Sequence, residues 1–509
     1  MDAEFSDLSK KSLGVLLIAL GIVILLLRVL SRLQDGKGPE DRISNPARLP
    51  FGLDLMFRII WRMRQNTFLE FTNEILSNTP GRTASLEVLG TRLVLTDRQE
   101  NITAVMLSQF SDFGKGETTH EVFKNILGDS VFATDGQKWM RSKDQLRPHA
   151  ARIRPDDLSV SESHIQRLFQ HLHNAPQGLE VFDVIDRLQL DIVTEIFLGV
   201  STVSLQCNKS PFRDAMETLL KINTRRLPFG NLAKLFPDWM IAPAAFRELD
   251  QYIGGLVDKT LSLPIEELEL KDVSTRTLME ELALQQPDRK FVKDQLVSVL
   301  MASKDPVTIL TTWALFELSR RPELVRQLRS EIQEHIGLDV LPDMENLKKL
   351  IKLQNVIKET MRTYHPLGLN VREALKDTLL PVGGGSNGAG KVPVLKGELV
   401  LYSVHGLQRS KMIVGEDADV WDPSRWERWS PKSGQFLPFN MGPRICLGRT
   451  FGQLQIQYTL TRILQEFEGI EWCGYGFSKD QDAQPMRIKV ELNTKFASPV
   501  LCKFIARET

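Results

Sequence analysis

The 509-residue chain has few cysteines and no excess of charge of either sign. None of its four cysteines forms a CxxC pair, so neither a disulfide framework nor a zinc ribbon is expected. They are Cys207, Cys446, Cys473 and Cys502. The 64 basic residues balance 64 acidic ones, which gives no support for a nucleic-acid-binding protein. Because 42% of the residues are hydrophobic and 25% are charged, a packed core is expected.

A long apolar run lies near the N-terminus. Residues 13–27 are apolar throughout, and the stretch 12–31 is long enough for a helix of about 30 Å, which crosses a hydrocarbon core. A cleaved signal peptide would begin with basic residues and end at a small-residue cleavage site. Here Asp2, Glu4 and Asp7 precede the run together with Lys10 and Lys11, and the sequence on its C-terminal side is "RVLSRLQDGKG". Positive charge is denser after the run than before it. We therefore expect an uncleaved membrane anchor over 1–31, with the body of the chain on the cytosolic side.

The remainder is predicted to be one large body of mostly α structure with a minor β portion. Residues 32–50 are polar and rich in Gly and Pro, as in a hinge, and residues 51–509 form the body. The stretch 84–97 alternates apolar and polar residues around a glycine and predicts a β-hairpin. The stretch 293–321 is helical in pattern and too apolar for a surface helix, so we expect it to be central and buried. Strands and a Gly-rich loop are expected over 367–405.

One motif suggests a nucleotide-binding protein. Gly385, Gly390 and Lys391 have the G-x-x-x-x-G-K spacing of a phosphate-binding loop. That loop requires Ser or Thr next and a helix whose N-terminus faces the phosphates, whereas Val392 follows here and the next residues are strand-like. We therefore interpret this segment as a surface loop.

A second motif surrounds Cys446, in "FLPFNMGPRICLGRTFGQLQIQY". The pattern places Cys446 at the first turn of a helix, where unpaired N–H groups and the helix dipole lower the pKa of a thiol. Gly442 and Gly448 would let the backbone approach a flat ligand, and Arg444 would face an anion. From the residues alone, the thiolate is either a nucleophile or a metal ligand.

The stretch "FNMGPRICLG" resembles the haem-binding signature of the cytochrome P450 superfamily, F-x-x-G-x-R-x-C-x-G, at every fixed position. The resemblance implies that Cys446 is the axial thiolate of a haem b iron, with Phe439 and Arg444 beside the cofactor. A cysteine-nucleophile hydrolase, the alternative, would need a histidine within reach of the thiol and gives no reason for Phe439 and Arg444.

Further motifs extend this resemblance over nearly the whole chain. "ETMR", with Glu359 and Arg362, is similar to the family's E-x-x-R, with Arg425 of "DPSRW" as the third, structural partner. The resemblance also implies haem-propionate contacts from three residues. They are Trp139, Lys143, which stands where the family usually has Arg, and Arg372.

The segments "NILGDSVFATDGQKW", "SDFGKGE" and "DTLLPVGGG" resemble the fungal alkane and fatty-acid hydroxylase group and its biosynthetic relatives. This resemblance implies an endoplasmic-reticulum anchor and electrons from NADPH through NADPH–cytochrome reductase. It also implies a monooxygenase that inserts one oxygen atom from O₂ into an apolar substrate. The substrate would be a fatty acyl-like chain or a secondary-metabolite intermediate.

The oxygen-handling motif departs from the family pattern [AG]-G-x-[DE]-T-[TS]. In "ASKDPV", Asp305 is the expected acid and proton relay, but Pro306 replaces the usual alcohol. Proline lacks an N–H and its ring clashes with the preceding turn, so a kink or an opening of the helix is expected. Thr308 is about 200° away around the helix, whereas Ser303 shares the face of residue 306.

We therefore predict that Ser303, with Asp305 behind it, supplies the missing hydroxyl. One alternative is that the substrate brings its own hydroxyl. Another is a haem-thiolate protein that catalyses a non-hydroxylating reaction or lacks monooxygenase turnover.

Overall fold

The computed structural model describes residues 46–507 apart from 48, 89–90, 151, 155, 208–209 and 475–485. The predicted anchor at 1–31, and most of the predicted hinge, lie outside these residues. Among the described helices, none combines the length and the apolar character needed to cross a bilayer.

The N-terminal half is mostly helical, with an early β-hairpin and two short strands. Its helices are α1 Leu53–Arg64, α2 Phe68–Ser77, α3 Gln99–Thr103, α4 Gly116–Leu127, α5 Gly136–Ala150, α6 Asp157–His173, α7 Val181–Leu198, α8 Pro211–Arg226, α9 Asp238–Ile241, α10 Pro243–Leu249, α11 Gly255–Leu261, α12 Ile265–Leu270 and α13 Leu278–Gln285. Thr277 begins α13 with a capping box in which its hydroxyl accepts from the Glu280 N–H and the Glu280 carboxylate accepts from the Thr277 N–H.

The C-terminal half contains the longest helix and most of the strands. Its helices are α14 Arg289–Ser319, α15 Pro322–His335, α16 Met344–Leu347, α17 Ile351–Thr363, α18 Val404–Gln408, α19 Lys411–Val414, α20 Arg425–Arg428 and α21 Arg449–Glu466. The start of α15 at Pro322 follows from proline's fixed φ and missing N–H, which suit the first turn.

Four small sheets accompany the helices in the described part of the chain. The strands are β1 Thr83–Val88, β2 Thr91–Thr96, β3 Phe113–Gly114, β4 Leu179–Glu180, β5 Leu369–Ala374, β6 Thr378–Gly384, β7 Gly390–Val394, β8 Leu399–Ser403, β9 Phe467–Trp472, β10 Ile488–Val490, β11 Thr494–Phe496 and β12 Leu501–Ala506. The largest sheet has the order β1-β2-β8-β5-β3, and in it β2 and β8 are parallel. The others are β4-β12-β9, β6-β7 and β10-β11. The predicted hairpin is confirmed, because β1 and β2 pair antiparallel.

Helix α14 is the centre of the fold. It packs against α7, α17, α21 and β9, and most of its side chains are buried, as its apolar sequence predicts. Asp288 caps its N-terminus by accepting a hydrogen bond from the Phe291 N–H. The helix continues through Pro306, so the opening predicted there does not occur. One proline removes a single hydrogen bond of the ladder, and packing on several sides holds the remainder in place.

The E-x-x-R pair forms a buried ion network with Arg425. Glu359 and Arg362 are 2.7 Å apart and both side chains are fully buried. Arg425 and Trp426 also donate to the Glu359 carboxylate, at 3.3 and 3.1 Å. Arg362 in turn donates to the carbonyl oxygens of residues 408, 418 and 420. These residues fix loops to α17, which agrees with the predicted structural role.

Candidate active site

A strip of α14 that is open to solvent interrupts the otherwise buried centre of this helix. Ala302 is exposed, and Val299, Ser303 and Pro306 are half-buried, whereas residues 304, 305 and 307–310 are buried. The spacing i, i+3, i+4, i+7 places these four residues on one face. This face, called the open face below, borders a space that the side chains of the other described residues do not fill. Its Ala and Val side chains make it largely apolar.

The loop that carries Cys446 lies at the start of α21, the helix that packs against α14. A Cβ atom added to Gly452, in the first turn of α21, would lie 3.8 Å from Val307 of α14, so the two helices approach closely there. Cys446 is exposed and its backbone N–H donates to the Phe439 carbonyl at 2.9 Å. This hydrogen bond closes the loop between Phe439 and Cys446.

One detail of this loop differs from the sequence-based expectations. Helix α21 begins at Arg449, so Cys446 precedes the helix instead of lying in its first turn. The structural need for glycine at position 442 comes from φ of +70° and from Met106, because a Cβ at Gly442 would lie 2.0 Å from the Met106 carbonyl oxygen. A Cβ at Gly448 would meet nothing within 4 Å.

The thiol pKa also differs from the expected direction. Although Cys446 keeps exposed surface, the atoms around its sulfur desolvate the thiol and raise its pKa, while a hydrogen bond from the Gly448 backbone and the charge of Arg449 oppose that rise. The donor expected at the helix start is therefore present as the Gly448 N–H, but desolvation has the larger effect on the thiol pKa. A bound cation at the sulfur would reverse the balance, because metal coordination deprotonates a thiol.

Arg444 links the cysteine loop to helix α5. Its guanidinium donates to the Thr134 carbonyl at 2.7 Å and to the carboxylate of Asp135, and its Cζ lies 4.5 Å from the centroid of the Trp139 ring. Lys143 lies 5.0 Å from the centroid of the same ring. Two cations thus contact one buried indole.

Three cations converge at this end of the site. Burial is the main cause that lowers the pKa of Lys115, and repulsion from Arg372 and Arg444 lowers it further. Burial also lowers the pKa of Arg444 to about 10, and Arg372 adds to this effect. Asp135 is the acid that opposes both shifts, and its oxygens also accept from the backbone N–H groups of Lys115 and Gly116. One carboxylate for three cations leaves positive charge to be neutralised.

Two buried polar atoms near these cations have no hydrogen-bond partner among the residues that the structure describes. They are Nε of Arg444 and the hydroxyl of Tyr402, whose ring centroid is 5.9 Å from Cζ of Arg372. A buried donor without a partner costs about 1–3 kcal/mol, so such atoms are normally satisfied by a ligand or by water. The cation excess and the unpaired donors fit a group that carries carboxylates, as haem does.

Lys115 was missed by the sequence reasoning. It lies within "SDFGKGE", a segment used only as a mark of the subgroup, and it is 257 positions before Arg372. No local pattern distinguishes this lysine from a surface lysine. The structure brings the predicted residues into contact as follows. Arg444 donates to Asp135 and lies over the Trp139 ring, which Lys143 also contacts. Arg372 lies near the Tyr402 ring.

Ser303 and Asp305 lie on different sides of α14. The Ser303 hydroxyl donates to the carbonyl oxygens of Val299 and Leu300, at 2.8 and 3.2 Å. Asp305 is buried, 2.7 Å from the Lys304 ammonium and 3.0 Å from the Asn493 amide that donates to it. Thr308 is buried and donates to the Lys304 carbonyl, so it does not face the open face. Of these residues, Ser303 alone shares the open face with Pro306.

The Gly-rich segment has no part in this site. It forms the turn of the hairpin β6-β7, and β7 takes the place of the helix that a phosphate-binding loop requires. The hairpin agrees with the interpretation of this segment as a surface loop.

Comparison with known proteins agrees with the resemblance to the cytochrome P450 superfamily. The sequence profile of the family "Cytochrome P450" matches residues 47–474. The chain is 31% identical over 496 residues to "Cytochrome P450 monooxygenase pvhE" of Talaromyces variabilis, covering 91% of each protein. It is 34% identical over 438 residues to "Cytochrome P450 52A13" of Debaryomyces hansenii, covering 83% of this chain and 84% of that protein. "Cytochrome P450 52A1" of Candida tropicalis is 34% identical over 444 residues, with coverages of 81% and 80%.

The profile spans Lys115, Arg372, Arg444 and the cysteine loop, and relatives named as monooxygenases match over most of their length. The chain belongs to the cytochrome P450 family and is a haem-thiolate oxidoreductase of the monooxygenase type.

Proposed function

We propose that this protein inserts one oxygen atom from O₂ into an apolar substrate at the open face of α14. The observation that carries the proposal is the placement of this face on α14, the helix against which α21, the helix that directly follows Cys446, packs. The face presents Val299, Ala302 and Pro306, which suit a hydrocarbon, and one hydroxyl, that of Ser303.

Different residues of the site would hold different parts of haem. Cys446 would ligate the iron, and Lys115, Arg372 and Arg444 would neutralise the propionates, with Trp139 and Lys143 beside them. Phe439 would fix the loop through its carbonyl. Bound haem supplies the activation of O₂, and the thiolate ligand favours O–O cleavage.

The substrate class follows from the open face and from the subgroup resemblance. A fatty acyl-like chain or a secondary-metabolite intermediate would contact its apolar side chains. Electrons would come from NADPH through a reductase of the NADPH–cytochrome type. The apolar segment 1–31 would anchor the enzyme in the endoplasmic reticulum membrane by a single span, followed by a hinge over 32–50, with the catalytic body on the cytosolic side.

Ser303 is the proposed replacement for the missing alcohol at position 306. Its hydroxyl proton is engaged with Val299, so the oxygen is free to accept from a water on the open face. Pro306 has no N–H, so the Ala302 carbonyl lacks its usual donor four residues on and gains acceptor capacity at the same face. Together they could hold the water that a threonine would otherwise orient.

A second candidate function rests on Pro306 itself. If neither Ser303 nor the substrate supplies the hydroxyl, the protein would bind haem through Cys446 but catalyse a non-hydroxylating reaction or lack monooxygenase turnover. Product formation coupled to NADPH consumption separates the two functions.

The carbon monoxide difference spectrum of the dithionite-reduced protein tests the ligand. Wild type should give the strongly red-shifted Soret band of a thiolate-ligated haem, and Cys446→Ser should lose it while remaining folded. Cys502→Ser is the matched control, because Cys502 is buried in β12. A red-shifted band that survives in Cys446→Ser would overturn the assignment of the ligand.

A further inference from the structure

A cavity with three arginines lies between the end of α5 and the start of α21. Arg152 and Arg154 come from the loop after α5, Arg276 comes from the turn before α13, and His149 is in the last turn of α5. Asp157 is the one acid among the described lining residues. None of these lining residues belongs to α14, so the cavity is separate from the open face.

Arg154 and Asp157 neutralise each other at one side of the cavity. The Arg154 Nε atom donates to one carboxylate oxygen of Asp157 at 2.9 Å, and the Arg154 backbone N–H donates to the other at 2.8 Å. Two further nitrogens of Arg154 donate to the carbonyl oxygens of Ile196 and Arg276, at 2.8 and 3.1 Å. Arg154 therefore has a structural role, because it fixes the loop after α5 to α7 and to the turn before α13.

The other two arginines keep unused donors. The Nε atom of Arg276 is buried and has no hydrogen-bond partner among the described residues, and its Nη1 atom is 3.9 Å from Glu281, beyond hydrogen-bond distance. Arg152 is half-buried, and its guanidinium has no ion-pair partner within the described part of the chain. Asp272 is near both arginines, but its side chain is exposed, so water screens its charge. Buried donors are normally satisfied by a ligand or by water.

His149 provides a third donor at this cavity. Burial is the main cause that lowers its pKa, with Arg152 adding to the effect and Glu281 opposing it, so the ring is neutral near pH 7. The amide nitrogen of Gln285 donates to its Nε2 atom at 3.1 Å, and the ring proton therefore lies on Nδ1. No described residue accepts a hydrogen bond from Nδ1, which leaves this N–H available to a ligand.

The floor of the cavity is apolar. It is formed by Ile196, Phe197, Leu278 and Phe451, and the two phenyl rings have centroids 5.3 Å apart. Apolar walls lower the local dielectric and so strengthen the attraction between a guanidinium and an anion. They also suit an aryl or alkyl group that is attached to the anion.

We propose that this cavity binds a phosphate-type oxyanion, with Arg152, Arg276 and His149 as its donors. A guanidinium donates in a planar fork that matches phosphate oxygens. Because the three donors come from separate segments, they suit a tetrahedral anion, whose oxygens point in several directions. The anion is either free phosphate or the phosphate group of a small apolar molecule. This site goes beyond the proposed function and does not depend on it.

The first test measures binding of inorganic phosphate and of phenyl phosphate to the full chain in a phosphorus-free detergent. Equilibrium dialysis against each labelled anion should show saturable binding at one site per chain. Arg152→Gln and Arg276→Gln should each weaken it by about 10–100-fold, the range for loss of a hydrogen bond to a charged group. Tighter binding of phenyl phosphate would identify an ester as the ligand, and equal affinities would identify free phosphate. Absence of saturable binding of both anions, or unchanged affinity in folded Arg152→Gln, would overturn the proposal.

The second test measures thermal unfolding with and without phosphate. Phosphate should raise the melting temperature of wild type, because a ligand that binds only the folded state stabilises it. Phosphate also stabilises proteins without binding, through its exclusion from their surface. Arg152→Gln separates the two effects, since it should keep only the second. An equal rise in wild type and Arg152→Gln would contradict a bound oxyanion.

Arg141→Gln is the matched control. Arg141 is exposed on α5, the helix that carries His149, and it does not line the cavity. The substitution removes the same charge and should leave phosphate affinity unchanged. Equal losses in Arg141→Gln and Arg152→Gln would show that binding depends on net charge and would refute the site. The absence of a red-shifted carbon monoxide band in wild type would instead overturn the proposed function, which the phosphate titration does not test.

Discussion

The guanidinium of Arg444 lies over the indole of Trp139, with its Cζ atom 4.5 Å from the ring centroid. The contact joins the cysteine loop to helix α5. The Nε atom of Arg444 is buried and has no hydrogen-bond partner in the described part of the chain. The pair therefore presents a positive group that is both oriented by an aromatic face and available to an anion.

Arg444→Leu should weaken retention of haem by about 10–100-fold, because a hydrogen bond to a charged group contributes about 1.5–3 kcal/mol. The haem content per polypeptide, measured by titration of apoprotein with haem, checks this expectation. Arg444→Lys keeps the charge but not the planar donor set and should fall between the two. Haem affinity equal to wild type in folded Arg444→Leu would show that Arg444 contacts no propionate.

Glu359→Gln should lower the free energy of unfolding by about 3–5 kcal/mol, the typical cost of breaking a buried ion pair. It would leave Arg362 buried without its ion-pair partner, whereas Arg425 would keep the Asp417 carboxylate at 2.7 Å. Urea unfolding followed by circular dichroism measures the loss. The same substitution at Glu345, whose pair with Lys348 is exposed, should change stability by less than about 1 kcal/mol. Equal losses at the two sites would contradict this account of the network.

His365 should make the fold sensitive to acid. Burial is the main cause that lowers its pKa from 6.5 to about 4. The unfolded chain therefore binds a proton as the pH falls below about 6.5, while the native state stays neutral down to about 4, so stability is present above 6.5 and is lost as the pH falls. Between pH 7.5 and pH 5.0 this loss amounts to about 2 kcal/mol.

Urea unfolding of wild type and His365→Gln at the two pH values tests this expectation. The decrease in stability on acidification should be about 2 kcal/mol smaller in His365→Gln. His335→Gln serves as the control, because His335 is exposed. A decrease of the same size in wild type and His365→Gln would show that another group is responsible.

Ser303→Ala should reduce the product formed per NADPH by about tenfold or more, if its hydroxyl orients water in place of an alcohol at 306. Pro306→Thr in the same chain should recover coupling, since it returns a hydroxyl to the open face. Ser298→Ala is the matched control, because Ser298 is buried on another face of α14. Full coupling in Ser303→Ala would favour a hydroxyl brought by the substrate.

Long, strongly patterned segments could be predicted from the sequence. The helix expected over 293–321 is observed as Arg289–Ser319, and the hairpin expected over 84–97 is observed as β1 and β2. Both depend on local periodicity and on turn residues. The segment around Cys446 could be interpreted because its residues are contiguous.

Contacts between distant segments could not be predicted in the same way. Lys115 joins Arg372 and Arg444 only through the fold, and Asp135 becomes their shared acid only when α5 and the cysteine loop meet. A kink or an opening of the helix at Pro306 was predicted from helix geometry alone. The helix is continuous there, and it packs against α7 and α21. The separation of Asp305 from Ser303 likewise depends on Lys304 and Asn493, which no local pattern connects.

The parallel pairing of β2 with β8 sets the order in which the chain completes its largest sheet. Arg92 and Glu398 form an ion pair at 3.0 Å although 306 positions separate them in the sequence. At roughly 5–20 residues per second, a ribosome needs on the order of 15–60 s to deliver β8 after β2 has emerged. During that interval the edge of β2 has no partner strand, and such edges pair readily with other chains. Completion of this sheet is therefore a late event in synthesis, and the nascent chain passes through a long aggregation-sensitive stage before the site can assemble.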